Sequence, residues 1–127
     1  AIAECLQQGK RGPLSKRLTD LFAPAYAYYA RRPRLSRTLL ELSLFADPPW
    51  RERFGGQVVR VHLRIVELFE AAKSGGEVAA DASSQVFATS IFSFYYLVLI
   101  AWAQGQVPQP LILFRSMVEQ HIRGVSP

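Results

Sequence analysis

The chain has 127 residues, half of them hydrophobic, and a formal net charge of +5 at neutral pH. A chain of this size makes one domain with a sizeable core, and its apolar content excludes intrinsic disorder. The single cysteine, Cys5, forms no internal disulfide, and the opening AIAECLQQGKRG has no apolar signal-peptide core, so a cytoplasmic protein is expected.

The charge is unevenly placed. Residues 1–37 hold eight basic and two acidic side chains, a balance of +6, and residues 38–127 hold seven and eight, a balance of −1. Such asymmetry suits proximity to nucleic acid, or equally a solvated helix face with basic ends. No basic stretch is interleaved with aromatics, so the domain is not expected to read DNA itself.

Residues Ala1 to Gln8 read as the tail of a helix stopped by Gly9 and Gly12. The next helix is expected from about Pro13 to Ala30, with Leu14, Leu18, Leu21, Phe22, Ala25 and Tyr29 on one stripe and Tyr26 and Tyr28 flanking it. Pro24 inside that pattern removes a backbone donor and crowds the carbonyl of Asp20, which predicts a kink or break. A helix from about Pro33 to Ala46 would bury Leu35, Leu39, Leu42 and Phe45, with Arg37 and Glu41 paired on its surface.

A long helix from about Pro49 to Ser74 contains Gly55-Gly56, where a bend is expected. Val58, Val61, Ile65, Leu68, Phe69 and Ala72 form its buried side, and His62 falls on that side too. Gly75-Gly76 closes it. The stretch Asp81–Gly105 then reads as a central helix capped by Asp81, uncharged from Val86 to Ala103. One of its faces runs Phe87, Ile91, Phe94 or Tyr95, Val98 and Trp102; another runs Ala88, Phe92, Tyr96, Leu99 and Ala103. A helix apolar all round is buried all round. Eighteen uncharged residues reach the lower edge of a membrane span, but neither end carries a Lys or Arg cluster. The expected arrangement is therefore one face against its own chain and the other against a second subunit. A last helix, from about Gln109 to Arg123, buries Leu111, Phe114, Met117 or Val118, and Ile122. With no strand pattern or repeat, the fold class is all-α, an array of about five to six helices.

Little of this supports catalysis. There is no Gly-rich phosphate loop, no nucleophile elbow and no metal-ligand spacing, so neither an enzyme nor a metal or other cofactor is expected. Glu67 and Glu70 read as a solvated face pairing with Arg64 and Lys73. His62 is the one titratable group on an apolar face, either a satisfied core histidine or a polar contact for a ligand. The many aromatics suit a small-molecule cavity of apolar walls with one or two polar groups.

The order of elements resembles a known family. The segment YAYYARRPRLSRTLLELSLF, a long helix, AAKSGGEVAAD, an apolar helix reaching AWAQG and a last helix ending HIRG resemble the C-terminal regulatory domain of TetR-family bacterial transcriptional repressors. Members of that family begin with a helix-turn-helix DNA-binding domain. Residues 1–12 look like the end of the linking helix and its turn, residues 13–127 like the regulatory domain, and the helix-turn-helix is absent from this chain. The resemblance implies a homodimer in which the last two helices of each subunit form a four-helix bundle. It also implies a cavity for a small apolar or amphipathic effector whose binding alters DNA binding by the head. The cavity is assigned to Phe22, Tyr26, His62, Phe69, Phe92 and Tyr96, and the dimer interface to Trp102, Leu111, Phe114 and Val118. The alternative is a helical protein–protein interaction module with no cavity.

Overall fold

A computed structural model describes residues 12–35, 37–38 and 50–127, with residues 50–55 described by backbone alone. Its four long helices are α1 (Leu14–Ala30), α2 (Trp50–Ser74), α3 (Ser84–Ala103) and α4 (Pro110–Gly124), and residues 33–35 and 37–38 are helical as well. The described residues contain no strand, as an all-α fold requires.

Each helix lays its apolar stripe into one core. From α1 come Leu14, Leu18, Leu21, Phe22, Ala25 and Tyr26; from α2 come Val61, Ile65, Leu68, Phe69 and Ala72. From α3 come Phe87, Ala88, Ile91, Tyr95, Val98 and Leu99, and from α4 Phe114 and Val118. The i, i+3, i+4, i+7 spacing of these sets is that of one helix face. α3 packs mainly on α2 and α4, and α1 mainly on α4, whereas α1 meets α2 over a smaller contact.

Several local expectations change. Pro24 does not break α1, which runs unbroken to Ala30. The helix is held by the burial of Leu21, Phe22, Ala25 and Tyr26 on either side of it. α2 is continuous across Gly55-Gly56, where a bend was expected. The cap of α3 is Ser83, not Asp81: its hydroxyl accepts from the backbone N–H of Val86. Tyr26, expected at the flank, is buried, and Tyr29 on the expected stripe is only half-buried. Leu35 is 47% exposed rather than buried. The expectations for Leu39, Leu42, Phe45 and the Glu41 end of the Arg37 pair lie outside the described residues, as does the helix tail at 1–8.

The link between α2 and α3 organises one end of the molecule. α2 stops at a left-handed glycine, Gly76 (φ 77°), with the amide of Glu77 donating to Ala72 O at 2.9 Å and that of Gly76 to Lys73 O at 3.1 Å. A Cβ disfavours that conformation, so glycine suits the position. The stop turns Glu77 toward the start of α1, where its Oε2 accepts from the amide of Leu14 at 3.0 Å. Pro13, the residue before α1, provides no side-chain cap, so the carboxylate arrives from 63 residues away and meets the positive end of the helix dipole. Val78 is buried beside it, and the amide of Ala79 donates to Val125 O at 2.8 Å, tying down the end of α4.

A side-chain cap at a helix N-terminus contributes about 1 kcal/mol. Glu77→Ala is therefore expected to lower the thermal midpoint by roughly 4 °C while helicity at low temperature is kept, measured by circular dichroism. An unchanged midpoint would show that the carboxylate does not hold α1.

Candidate functional site

Two aromatic groups occupy the core, and they divide the expected cavity residues between them. The first centres on Tyr95 of α3. Its ring stacks on Phe22 at 4.5 Å, and meets Tyr26 at 5.2 Å and Phe92 at 5.7 Å. Phe114 of α4 closes the group edge-on to Phe22 at 5.1 Å. Such offset and edge-on pairs add to the burial of the rings. The hydroxyl of Tyr26 donates to Tyr95 O at 3.0 Å, tying α1 to α3 in the interior. Burial pushes the Tyr26 phenol far above its ordinary pKa, so it stays protonated and remains a donor.

This group opens outward. Phe92 is half-buried and stacks on Tyr96, with ring centroids 6.2 Å apart and planes 16° apart. Tyr96 is half-buried too, and its phenol is pushed up by burial and by the nearby Tyr29. Tyr29, Phe92 and Tyr96 therefore form a partly accessible rim on a closed aromatic floor of Phe22, Tyr26 and Tyr95.

The second group lies nearer the Glu77 end. Phe69 of α2 stacks on Phe87 of α3 at 4.1 Å, and the His121 ring of α4 sits 5.3 Å from Phe87 and 5.4 Å from Phe94. Burial lowers the His121 pKa because the charged imidazolium would lose water in an apolar setting. The half-buried His121 ring thus lies against two aromatic rings of α3.

Of the six residues assigned to a cavity, Phe22, Tyr26, Phe92 and Tyr96 come together. Phe69 belongs to the second group, stacked on Phe87 with no exposure of its own. His62 joins neither: its Nε2 lies 2.8 Å from Oε1 of the exposed Gln85, so it bridges α2 to the first turn of α3 at the surface. Tyr95 and Tyr29 were missed as site residues. Helical spacing carried their signal: Tyr95 shares a face with Ile91 and Val98, and Tyr29 shares one with Phe22 and Tyr26, which placed both toward the contact of α1 with α3.

The residues assigned to a dimer interface divide as well. Phe114 and Val118 are 0% exposed, enclosed by the chain's own helices, and offer no surface to a partner. Trp102 and Leu111 are half-buried against the same core. The exposed large apolar side chains of the long helices lie on other faces: Val86 and Leu97 of α3, Ile112 and Leu113 of α4, and Val59 and Leu63 of α2. On α3 this outer stripe runs Val86, Ser90, Ser93 and Leu97, with no charge. Its hydroxyls turn inward: Ser90 Oγ donates to Val86 O at 2.9 Å and Ser93 Oγ to Thr89 O at 2.7 Å. On α4, Ser116 Oγ does the same to Ile112 O at 3.1 Å. With their protons committed to the helix backbone, these serines present small, largely apolar surfaces.

Among the described residues no group of three or more His, Cys, Asp or Glu side chains is placed to hold a metal ion. The chain matches no protein-family model, no curated protein and no solved structure.

The lowered His121 pKa has a definite sign. On acidification the unfolded chain takes up its proton first, near the ordinary value of 6.5, so the folded state loses stability as pH falls below that value. Chemical denaturation at pH 7.5 and pH 5.5 is expected to show lower stability at the acidic value, and His121→Phe is expected to shrink the difference. Equal pH dependence in the variant would show that other groups carry it.

Proposed function

We propose that the chain is the ligand-sensing and dimerisation domain of a TetR-like bacterial transcriptional repressor, acting in the cytoplasm on a DNA-binding head outside these 127 residues. The observation that carries this reading is the uncharged outer face of α3. A helix enclosed on one side by its own chain, yet free of charge on the other, needs a second partner. Ile112 and Leu113 on the adjacent helix are exposed too, and in this reading they join Val86 and Leu97 in a contact with a second copy of α3 and α4, a four-helix bundle. The contact falls on Val86, Ser90, Ser93, Leu97, Ile112 and Leu113 rather than on Phe114 and Val118.

The effector belongs at the rim of Tyr29, Phe92 and Tyr96. Half-buried rings above a closed aromatic floor offer stacking surface to an apolar or amphipathic molecule. Effector binding shifts the domain only through a difference in affinity between two arrangements of its helices.

A second reading has its own observation. Ser84–Ala103 is long and apolar enough to cross a membrane, with a mean hydropathy of 1.8. To do so it would have to leave Phe22, Phe69 and Phe114, and its partner helices α1 and α2 carry Lys16, Arg17, Arg60, Arg64, Glu67 and Glu70. Drawing those charges into lipid is costly, which favours the soluble bundle.

Native mass spectrometry of the chain purified without detergent is expected to give a dimer, and Leu97→Glu with Ile112→Glu is expected to give a folded monomer. A wild-type monomer would remove the dimer reading, and insolubility without detergent would favour the membrane one. An apolar fluorescent probe, N-phenyl-1-naphthylamine, is expected to bind saturably and stoichiometrically. Phe92→Ala should weaken it by about tenfold, the loss of roughly one ring–ring contact, while His62→Ala leaves it unchanged. Absence of saturable binding would favour an interaction module without a cavity.

A further inference from the structure

One end of the molecule is rich in exposed arginine. The contacts of Glu77 with Leu14 and of Ala79 with Val125 bring the start of α1, the α2–α3 link and the end of α4 together. The carboxylates Glu67, Glu70, Glu77, Asp81 and Glu119 lie in the elements that converge there, offset by Lys16, Arg17, Arg64, Lys73 and Arg123 in the same elements. α1 carries the chain about 25 Å away, at 1.5 Å per residue, to the turn at Arg31 and Arg32 and the helical residues 33–35 and 37–38 that follow it. Arg31, Arg32, Arg34 and Arg37 are all exposed on that segment, and no described carboxylate neighbours them in sequence. The excess persists across the adjoining chain, since residues 31–55 contain six arginines against three carboxylates.

The segment is held in place. Nη2 of Arg37 donates to Ala103 O at 3.0 Å, pinning it to the last carbonyls of α3. The Arg32 guanidinium lies 4.3 Å over the Tyr28 ring and reaches Tyr28 O. Pro33 restricts the backbone between them. Arg31 and Arg34 are thereby presented from a fixed segment without a carboxylate partner among the described residues. All the cations here are arginines, whose planar fork matches phosphate oxygens in paired hydrogen bonds.

We infer that this arginine end, Arg31 with Arg34 foremost, is a sequence-independent contact for the phosphate backbone of duplex DNA. An anionic membrane is the less suitable partner. Membrane attachment by basic groups needs apolar side chains inserted beside them, and Leu35 is the one large apolar residue exposed within the described part of the segment. The inference does not depend on the effector or dimer assignments above. It concerns backbone contact and leaves base readout to other elements.

The test uses the 127-residue chain, a random-sequence duplex and fluorescence anisotropy between about 50 and 200 mM salt. Weak binding is expected that falls steeply with salt and is indifferent to duplex sequence. Arg31→Gln with Arg34→Gln should weaken it about tenfold or more at the lowest salt and reduce the log–log salt slope by about 2. Arg123→Gln, which removes one positive charge at the opposite end, should change neither quantity appreciably, whereas Arg31→Gln alone should change both. No measurable duplex binding, equal losses from Arg123→Gln, or binding to phosphatidylserine vesicles in place of duplex would each overturn the inference. Thermal melts of each variant separate loss of contact from loss of fold.

Discussion

An uncharged twenty-residue helix cannot be left in water, and the cover for α3 determines where the other helices go. Phe69 from α2 stacks on Phe87, Phe22 and Tyr26 from α1 close over Tyr95, and Phe114 from α4 fills the space between them. The buried ring pairs contribute more than a generic apolar contact because each combines large area with a preferred orientation.

The opposite ends of the bundle are secured by different devices. At one, a glycine-terminated helix turns a carboxylate onto the N-terminus of a helix distant in sequence. At the other, Gly105 (φ 77°) ends α3 with Gln106 N donating to Ala101 O, and Arg37 satisfies the carbonyl of Ala103. Both exploit the same fact: a helix end exposes groups that its own ladder cannot pair, with positive character at the start and negative character at the finish. An acidic residue placed at the first and a basic one at the second lower the energy of the termini and separate charge along the molecule.

Burial and function pull apart in the aromatic residues. Phe22, Phe69 and Phe114 have no exposed surface, so they serve the proposed sensor only by forming the floor and shape of the core. Phe92, Tyr96 and Tyr29 retain exposure and can meet a ligand without the core opening. The same distinction moves the proposed subunit contact outward, from enclosed side chains to Val86, Leu97, Ile112 and Leu113. In the regulatory reading, cavity and interface then occupy two sides of one helix, which gives an effector a short route to the subunit contact.

Helix content over the described residues, most members of the buried stripes and the turns at Gly76 and Gly105 were legible in the linear order of residues, because helical periodicity and glycine stops are local properties. Ser83 displaced Asp81 as the cap of α3 by a shift of two positions, within the range where competing polar residues cannot be ranked from order alone. Pro24 looked like a breaker, yet burial on both sides of it outweighs one lost hydrogen bond. His62 shared the apolar face of α2 but lies where that face reaches the surface, so its partner became Gln85 on another helix. Phe114 and Val118 shared a stripe suitable for either core or interface, and only the position of α1 over α4 assigned them to the core. Sequence by itself determined which faces are apolar, since that follows from periodicity; the tertiary structure decided what each face meets, since that depends on which helices pack together.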